Sequence, residues 1–260
     1  MTGSRTTDLH LSSAFLYGKG VFSTIAVFDG LPFLWEKHWR RLNSNAAAIG
    51  LDLSEFNENY VFERLRSEIR DSELSDGKAR ISFFDRAPSP MWSNPNGAPT
   101  IGLSIITRRR QSRNANLSLT VSPFPINSRS PLAGIKSCNY LENLLAIDDA
   151  HRRRFDEAVR VNERGEITSA CLANIFWMCG GCLYTPALST GCLPGTTREF
   201  ILENLECMAG EFDIDELRVA ESIFLASAGR GVVQVSEFEG RKLDTTTHQI
   251  MNLLPKSEFL

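Results

Sequence analysis

The sequence predicts a mixed α/β fold, of the α+β kind, arranged in two halves. Three observations carry that reading. Strand-like alternating stretches meet at tight glycine-containing turns, as in antiparallel hairpins. Stretches with apolar residues every three or four positions, as in helices, are interspersed among them. A basic run, Arg108-Arg109-Arg110-Gln111-Ser112-Arg113-Asn114, stands between two such sets. At 260 residues the chain suits one large domain or two smaller ones. The division read here is an N-terminal α/β domain over 1–107, a linker over 108–115 and a C-terminal domain over 116–260. The basic run itself is read as solvated charge rather than a ligand-binding patch.

In order, residues 1–16 are polar at the start and expected to be poorly ordered there. Tyr17-Gly18-Lys19-Gly20 is a glycine-bracketed bend. Val21–Phe28 reads as a strand, and Asp29-Gly30 turns it into a second at Leu31–Trp35. Glu36–Ile49 reads as a helix closed by Gly50, with Trp39, Leu42, Ala46 and Ile49 as its apolar stripe and His38, Arg41 and Asn45 on another face. A second helix covers Tyr60–Ile69. Strands are expected at Lys78–Asp85 and Pro99–Thr107, with a Pro/Ser/Asn/Gly-rich loop between. The second half offers a strand at Leu117–Val121, a helix at Tyr140–Arg152, and strands at Glu157–Val161 and Ile167–Phe176. Cys179-Gly180-Gly181-Cys182 reads as a hairpin turn rather than a metal or redox pair, because no second ligand pair stands at zinc spacing. A helix follows Pro194-Gly195-Thr196-Thr197-Arg198, with Phe200, Ile201, Leu205 and Met208 inside. Strands at Ile223–Ala226 and Val232–Phe238 and a last helix near Thr246–Leu254 complete the chain.

Bulk properties narrow the function. The formal net charge of −3 gives no reason to expect nucleic acid or an acidic membrane as partner. No apolar run approaches the ~20 residues of a membrane helix. Met1–Arg5 leads into no apolar signal region, so a cytoplasmic location is expected. Six scattered cysteines read as reduced thiols. The four histidines, His10, His38, His151 and His248, have no metal-ligand spacing, so no metal is expected. His38 is read as structural, near Arg41. No nucleophile elbow, Walker motif or internal repeat is present.

The chemistry centres on Leu132-Ala133-Gly134-Ile135-Lys136, an apolar run ending in one lysine, with helical periodicity (Leu141, Leu144, Leu145, Ala150) directly after it. Apolar surroundings desolvate an ammonium and lower its pKa, and a neutral amine can attack a carbonyl. Two further stretches suit an anion. Gly195-Thr196-Thr197 opens a helix, where backbone N–H groups lack partners. Ser227-Ala228-Gly229 joins a strand to a turn with small residues that let a ligand approach.

Taken together, these segments resemble the class IV (fold type IV) pyridoxal-phosphate enzymes, which include branched-chain and D-amino-acid aminotransferases and aminodeoxychorismate lyase. The resemblance runs from about Leu16 to Val235. It is carried by Tyr17-Gly18-Lys19-Gly20-Val21-Phe22-Ser23-Thr24, His38-Trp39-Arg40-Arg41-Leu42, Gly134-Ile135-Lys136 with Asn139-Tyr140, Ile167 to Phe176, and Tyr184-Thr185-Pro186 with Leu193 to Arg198. It implies a two-domain, D-amino-acid aminotransferase-like fold with pyridoxal 5′-phosphate between the domains, bound to the C-terminal one. Lys136 corresponds to the lysine that holds the cofactor covalently and later moves the proton. Arg41 corresponds to the phosphate-binding arginine, Gly195, Thr196 and Thr197 to the phosphate loop, and Ser227 and Ala228 to the other phosphate-side turn. Tyr140 matches the tyrosine on the pyridine 3-oxygen; Phe22 and Arg86 fall where members line the substrate pocket.

Three departures stand out. Ser169 occupies the usual position of the glutamate facing the pyridine nitrogen, which favours a neutral ring and a slower or redirected reaction; Glu166, at an odd strand offset, is a poor substitute. Lys19 replaces an acidic residue in the first bend. Few residues precede Tyr17, so the N-terminal domain reads as trimmed. The resemblance implies amino-group transfer between an amino acid and a 2-oxo acid, by a homodimer. The alternatives are 4-amino-4-deoxychorismate lyase, which releases pyruvate and 4-aminobenzoate, and a binding protein that has lost catalysis.

Overall fold

The computed structural model describes residues 12–87, 100–110 and 117–255. The chain forms two compact units. One takes in the described residues up to Arg110 together with Ile135–Tyr140; the other takes in the rest.

In the first unit, α1 (Ser13–Tyr17) is a short helix just before the glycine-bracketed bend; the start of the chain, expected to be poorly ordered, lies outside the described residues. Ser12 caps the helix, its hydroxyl accepting from Phe15 N at 3.2 Å. The strands β1 (Gly20–Phe28), β2 (Leu31–Pro32), β3 (Gly77–Asp85) and β4 (Ile101–Arg109) form an antiparallel sheet in the order β2-β1-β3-β4. Asp29 and Gly30 both take positive φ, as a two-residue hairpin turn requires. β2 is shorter than expected, because Trp35 already begins α2 (Trp35–Ala48). Arg108 and Arg109 continue β4, paired with Lys78 and Gly77; residues 111–114 of the basic run lie outside the described residues, as does most of the Pro/Ser-rich loop expected before β4. Lys19, the basic departure in the first bend, pairs with the buried carboxylate of Asp85 at 3.0 Å.

Helix α2 packs its expected apolar stripe against the core, with Trp39 and Ile49 partly buried there, but it buries more than that stripe. Trp35, Leu42 and Ala46 are buried, but so are His38 and Asn45. His38 and Arg41 meet β1 because Ser23 offers both of them a polar partner there. Helix α3 (Glu58–Asp71) is capped by Asn57 and buries Val61, Leu65 and Ile69. These join Val21, Ile25, Ile81 and Phe83 in one core, with Ile135 packed against it.

The second unit holds β5 (Leu117–Val121), α4 (Leu141–Arg152), β6 (Glu157–Val161), β7 (Ile167–Ala170), β8 (Asn174–Cys179), β9 (Cys182–Pro186), α5 (Thr196–Asn204), β10 (Met208–Gly210), α6 (Asp215–Val219), β11 (Ser222–Ser227), β12 (Gly231–Phe238) and β13 (Arg241–Lys242). Its nine-stranded mixed sheet runs β10-β9-β8-β11-β12-β5-β6-β7, with β13 beside β12. The expected single strand over Ile167–Phe176 is broken into β7 and β8, because Ala170 N donates to Ala173 O and closes a turn between them. Gly180 and Gly181 both take positive φ in the turn that pairs Cys179 with Cys182. The expected last helix is a single 3-10 turn, Gln249–Asn252.

Helix α4 departs from its expected stripe. It buries Ala146, Ile147 and Ala150, while Leu141, Leu144 and Leu145 are exposed at 61%, 48% and 48%. Small residues let the helix backbone approach Ala158 and Cys171, and the large leucines fall on the far side. Met208 is likewise outside, in β10 rather than in α5. No described helix is long and apolar enough to cross a membrane.

Candidate active site

Lys136 is held by the backbone of β1. Phe22 N donates to Lys136 O at 3.0 Å, and Cys138 N donates to Gly20 O at 2.7 Å. Val21 and Ser137 form a bridge between these bonds. The segment after the apolar run is thus a short added neighbour of β1, which brings the lysine beside Phe22. The amine lies 4.5 Å from the centre of the Phe22 ring and 5.0 Å from that of Tyr140, and donates to Tyr140 Oη at 3.4 Å. Phe22 and Tyr140 meet edge to face at 5.3 Å. Burial lowers the Lys136 pKa to about 7, and the guanidinium groups of Arg41 and Arg80 push it the same way. Near neutral pH a large share of this amine is therefore unprotonated and nucleophilic.

The structure brings Lys136, Arg41, Tyr140 and Phe22 into one cluster. It adds residues the sequence reading did not single out. Arg80 lies over Phe22 with its guanidinium carbon 3.6 Å from the ring centre, and its Nε donates to Ser82 Oγ at 3.2 Å. A strand period of two was the available signal: Arg80 and Ser82 alternate with the buried Ala79, Ile81 and Phe83. Ser23 is fully enclosed, 2.7 Å from both His38 Nδ1 and Arg41 Nη2. Arg86 does not join the cluster. It is exposed beyond the end of β3, and a side chain on Gly102 would strike its Cδ and the Phe84 ring.

The remaining candidates lie in the second unit. Gly195 is the N-cap of α5, with Thr196 and Thr197 buried in its first turn. A Cβ on Gly195 would run into Asn174 Oδ1, and Asn174 Nδ2 donates to Leu193 O at 2.9 Å. The loop is thereby clamped against the start of β8. Arg198 is buried too and donates to Pro186 O at 2.7 Å. Ser227 and Ala228 stand at the turn from β11 to β12, both half-buried. Arg230 N donates to Ser227 O at 3.1 Å, and the Arg230 side chain pairs at 3.1 Å with Glu157, which is fully buried. Glu157 Oε1 also accepts from Cys171 N at 3.1 Å, so one carboxylate ties this turn to the β7–β8 bend. Burial pushes its pKa up, and Arg230 opposes that. Ser169 sits half-buried on β7, opposite Arg160 of β6. Glu166 is taken up by Arg164 Nη2 at 2.6 Å and Asn162 Nδ2 at 2.7 Å. Among the described residues there is no cluster of three or more His, Cys, Asp or Glu able to hold a metal ion.

An amine with a pKa lowered to about 7, beside aromatic rings and guanidinium groups, is equipment for capturing a carbonyl compound. The profile of the family described as amino-transferase class IV matches residues 20–238, and the chain belongs to that family. Its members are pyridoxal-phosphate-dependent aminotransferases or aminodeoxychorismate lyases, so the protein is an enzyme. An aminodeoxychorismate lyase of Bacillus subtilis is 26% identical over 233 residues, covering 86% of this chain and 79% of that one. A D-alanine aminotransferase of Listeria monocytogenes is 26% identical over 244 residues, covering 90% and 83%. A fold IV transaminase of Curtobacterium pusillum superposes with a TM-score of 0.78 at 25% identity, covering 94% of this chain and 87% of that one. The fold is therefore fold type IV. The groups clustered in the first unit have the chemistry the family's cofactor calls for: a nucleophilic amine for an aldehyde, a guanidinium for a phosphate, and aromatic rings for apolar ring faces.

Proposed function

We propose that the protein is a pyridoxal-phosphate-dependent aminotransferase that moves an amino group between an amino acid and a 2-oxo acid. The observation that carries this reading is the Lys136 amine, lowered to about 7 by burial beside Arg41 and Arg80 and hydrogen-bonded to Tyr140. Lys136 would hold the cofactor. Arg41, the Gly195-Thr196-Thr197 N–H groups and the Ser227–Ala228 turn would bind its phosphate. Tyr140 would orient its 3-oxygen, and Ser169 would stand beside its ring nitrogen. Bound pyridoxal phosphate would supply an electron sink. Lys136 Nζ would accept and return the substrate's α-proton, with Tyr140 Oη holding the amine in position. Phe22 and Tyr140 exclude water from the amine. Arg86 remains a proposed contact for a substrate carboxylate, but Arg80 is the better-placed cation because it lies against Phe22.

The similarity to the Bacillus subtilis lyase favours a second reading, elimination of pyruvate from 4-amino-4-deoxychorismate. A cytoplasmic homodimer is part of either reading. The exposed leucine face of α4 supports the dimer, since a second copy would cover it.

The test is direct. Purified protein is mixed with pyridoxal phosphate and reduced with borohydride, and the modified peptide is mapped. Cofactor fixed on Lys136 is expected. Loaded protein is then given D- and L-amino acids with 2-oxo acids and, separately, aminodeoxychorismate. Release of keto acid supports the aminotransferase; release of pyruvate with 4-aminobenzoate supports the lyase. No cofactor uptake at saturation leaves only the binding protein.

A further inference from the structure

Ser23 stands in the middle of β1, fully enclosed. Two side chains from α2 reach it, His38 through Nδ1 and Arg41 through Nη2, each at 2.7 Å. Their spacing of three residues puts both on one side of the helix, so both can meet a single hydroxyl. Among the described residues these are the hydroxyl's two partners.

The proton count in this trio is determinate. A serine hydroxyl has one proton and two lone pairs, and a guanidinium can only donate. Arg41 therefore takes a lone pair of Ser23 Oγ. The hydroxyl proton, shut off from water, has to go to His38 Nδ1. His38 Nδ1 must then be the bare nitrogen of a neutral imidazole that carries its proton on Nε2. Burial and the nearby charges of Arg41 and Lys136 hold His38 well below its ordinary pKa, in keeping with that state.

We propose that His38 and Ser23 are positioning residues for Arg41: the bare Nδ1 fixes the rotation of the Ser23 hydroxyl, and the hydroxyl oxygen fixes the plane of the guanidinium toward the cofactor's phosphate. The inference rests on the assignment of Arg41 to that phosphate. A guanidinium recognises phosphate through a flat fork of N–H groups, so its orientation governs how many bonds it can make. Supporting partners of this kind affect affinity without touching the ligand.

Two measurements test it. Nitrogen-15 NMR of the imidazole, on wild-type protein without cofactor, is expected to show Nδ1 unprotonated and Nε2 protonated; a protonated Nδ1 overturns the relay whether or not cofactor binds. The second compares dissociation constants for pyridoxal phosphate and for pyridoxal, which lacks the phosphate. Ser23→Ala is expected to weaken pyridoxal phosphate about tenfold and leave pyridoxal unchanged. Ser23→Ala on an Arg41→Ala background should add nothing further. His38→Asn, whose side-chain oxygen can take the place of Nδ1, should keep the preference for the phosphorylated form. His38→Gln, which mimics Nε2, should lose it. Equal behaviour of the Asn and Gln variants, or equal weakening of both ligands by Ser23→Ala, overturns the proposal. Absence of borohydride-fixed cofactor on Lys136 in wild-type protein instead sinks the reading of Lys136, and the NMR result still judges the relay.

Discussion

Lys136 pays for its reactivity in stability. Its folded pKa of about 7 lies below the ordinary lysine value of 10.5. Between those two values the unfolded chain binds a proton that the folded chain does not, so this residue makes stability rise with pH. Lys136→Met removes that dependence. The variant, without cofactor, is expected to melt a few degrees above wild type at pH 6–7, and the gain should fade as pH approaches 10. Thermal unfolding across that range, read by circular dichroism, checks it; a constant difference at every pH would be the wrong result. Arg80 is one of the cations that lower the lysine. Arg80→Ala is therefore expected to raise the Lys136 pKa and move the pH midpoint for pyridoxal phosphate capture upward, as followed by absorbance. The reactive lysine was legible in the chain because an apolar run ends on it. Arg80 was not, because its partner Phe22 is some 60 residues away and only strand pairing makes them neighbours.

At the scale of single elements, the helix starts and turns are held by buried polar groups. Gly195→Ala would force a methyl group against Asn174 Oδ1 and disturb the start of α5. It is expected to cost about 1–3 kcal/mol, read from the urea midpoint. Removing Glu157 withdraws acceptors from Cys171 N and Ala158 N and leaves Arg230, itself mostly buried, without its carboxylate. Glu157→Ala is expected to cost about 3 kcal/mol, and a loss below ~0.5 kcal/mol would refute this account of the turn. Element positions were largely readable from periodicity and turn residues, as in β5, β6 and the Cys179–Cys182 hairpin. Faces were less so. In α2 the apolar stripe does pack in the core, but the enclosed serine on β1 also draws the neighbouring His38 inward, which the stripe did not mark. In α4, alanines rather than leucines mark the packed side, because close approach of backbones selects for small size over hydrophobicity.

For the whole molecule, the leucines of α4 carry the dimer expectation. Wild-type protein should sediment as a dimer, and Leu144→Glu with Leu145→Glu should shift it toward monomer while thermal unfolding keeps a single cooperative transition. A wild-type monomer at micromolar concentration would remove this part of the reading. Family membership was legible because five short segments keep their order along the chain; the reaction was not, since aminotransferases and lyases share those segments. The pairing of residues 136–138 with β1 also bears on biosynthesis. Gly20 and Cys138 are on the order of 100 residues apart, so their hydrogen bonds close a long loop late. A ribosome that has just finished β4 has made every strand of the first sheet but not the lysine's strap. The nascent sheet must wait with that side of β1 bare, and a chaperone that shields it during this interval would raise the yield of competent protein.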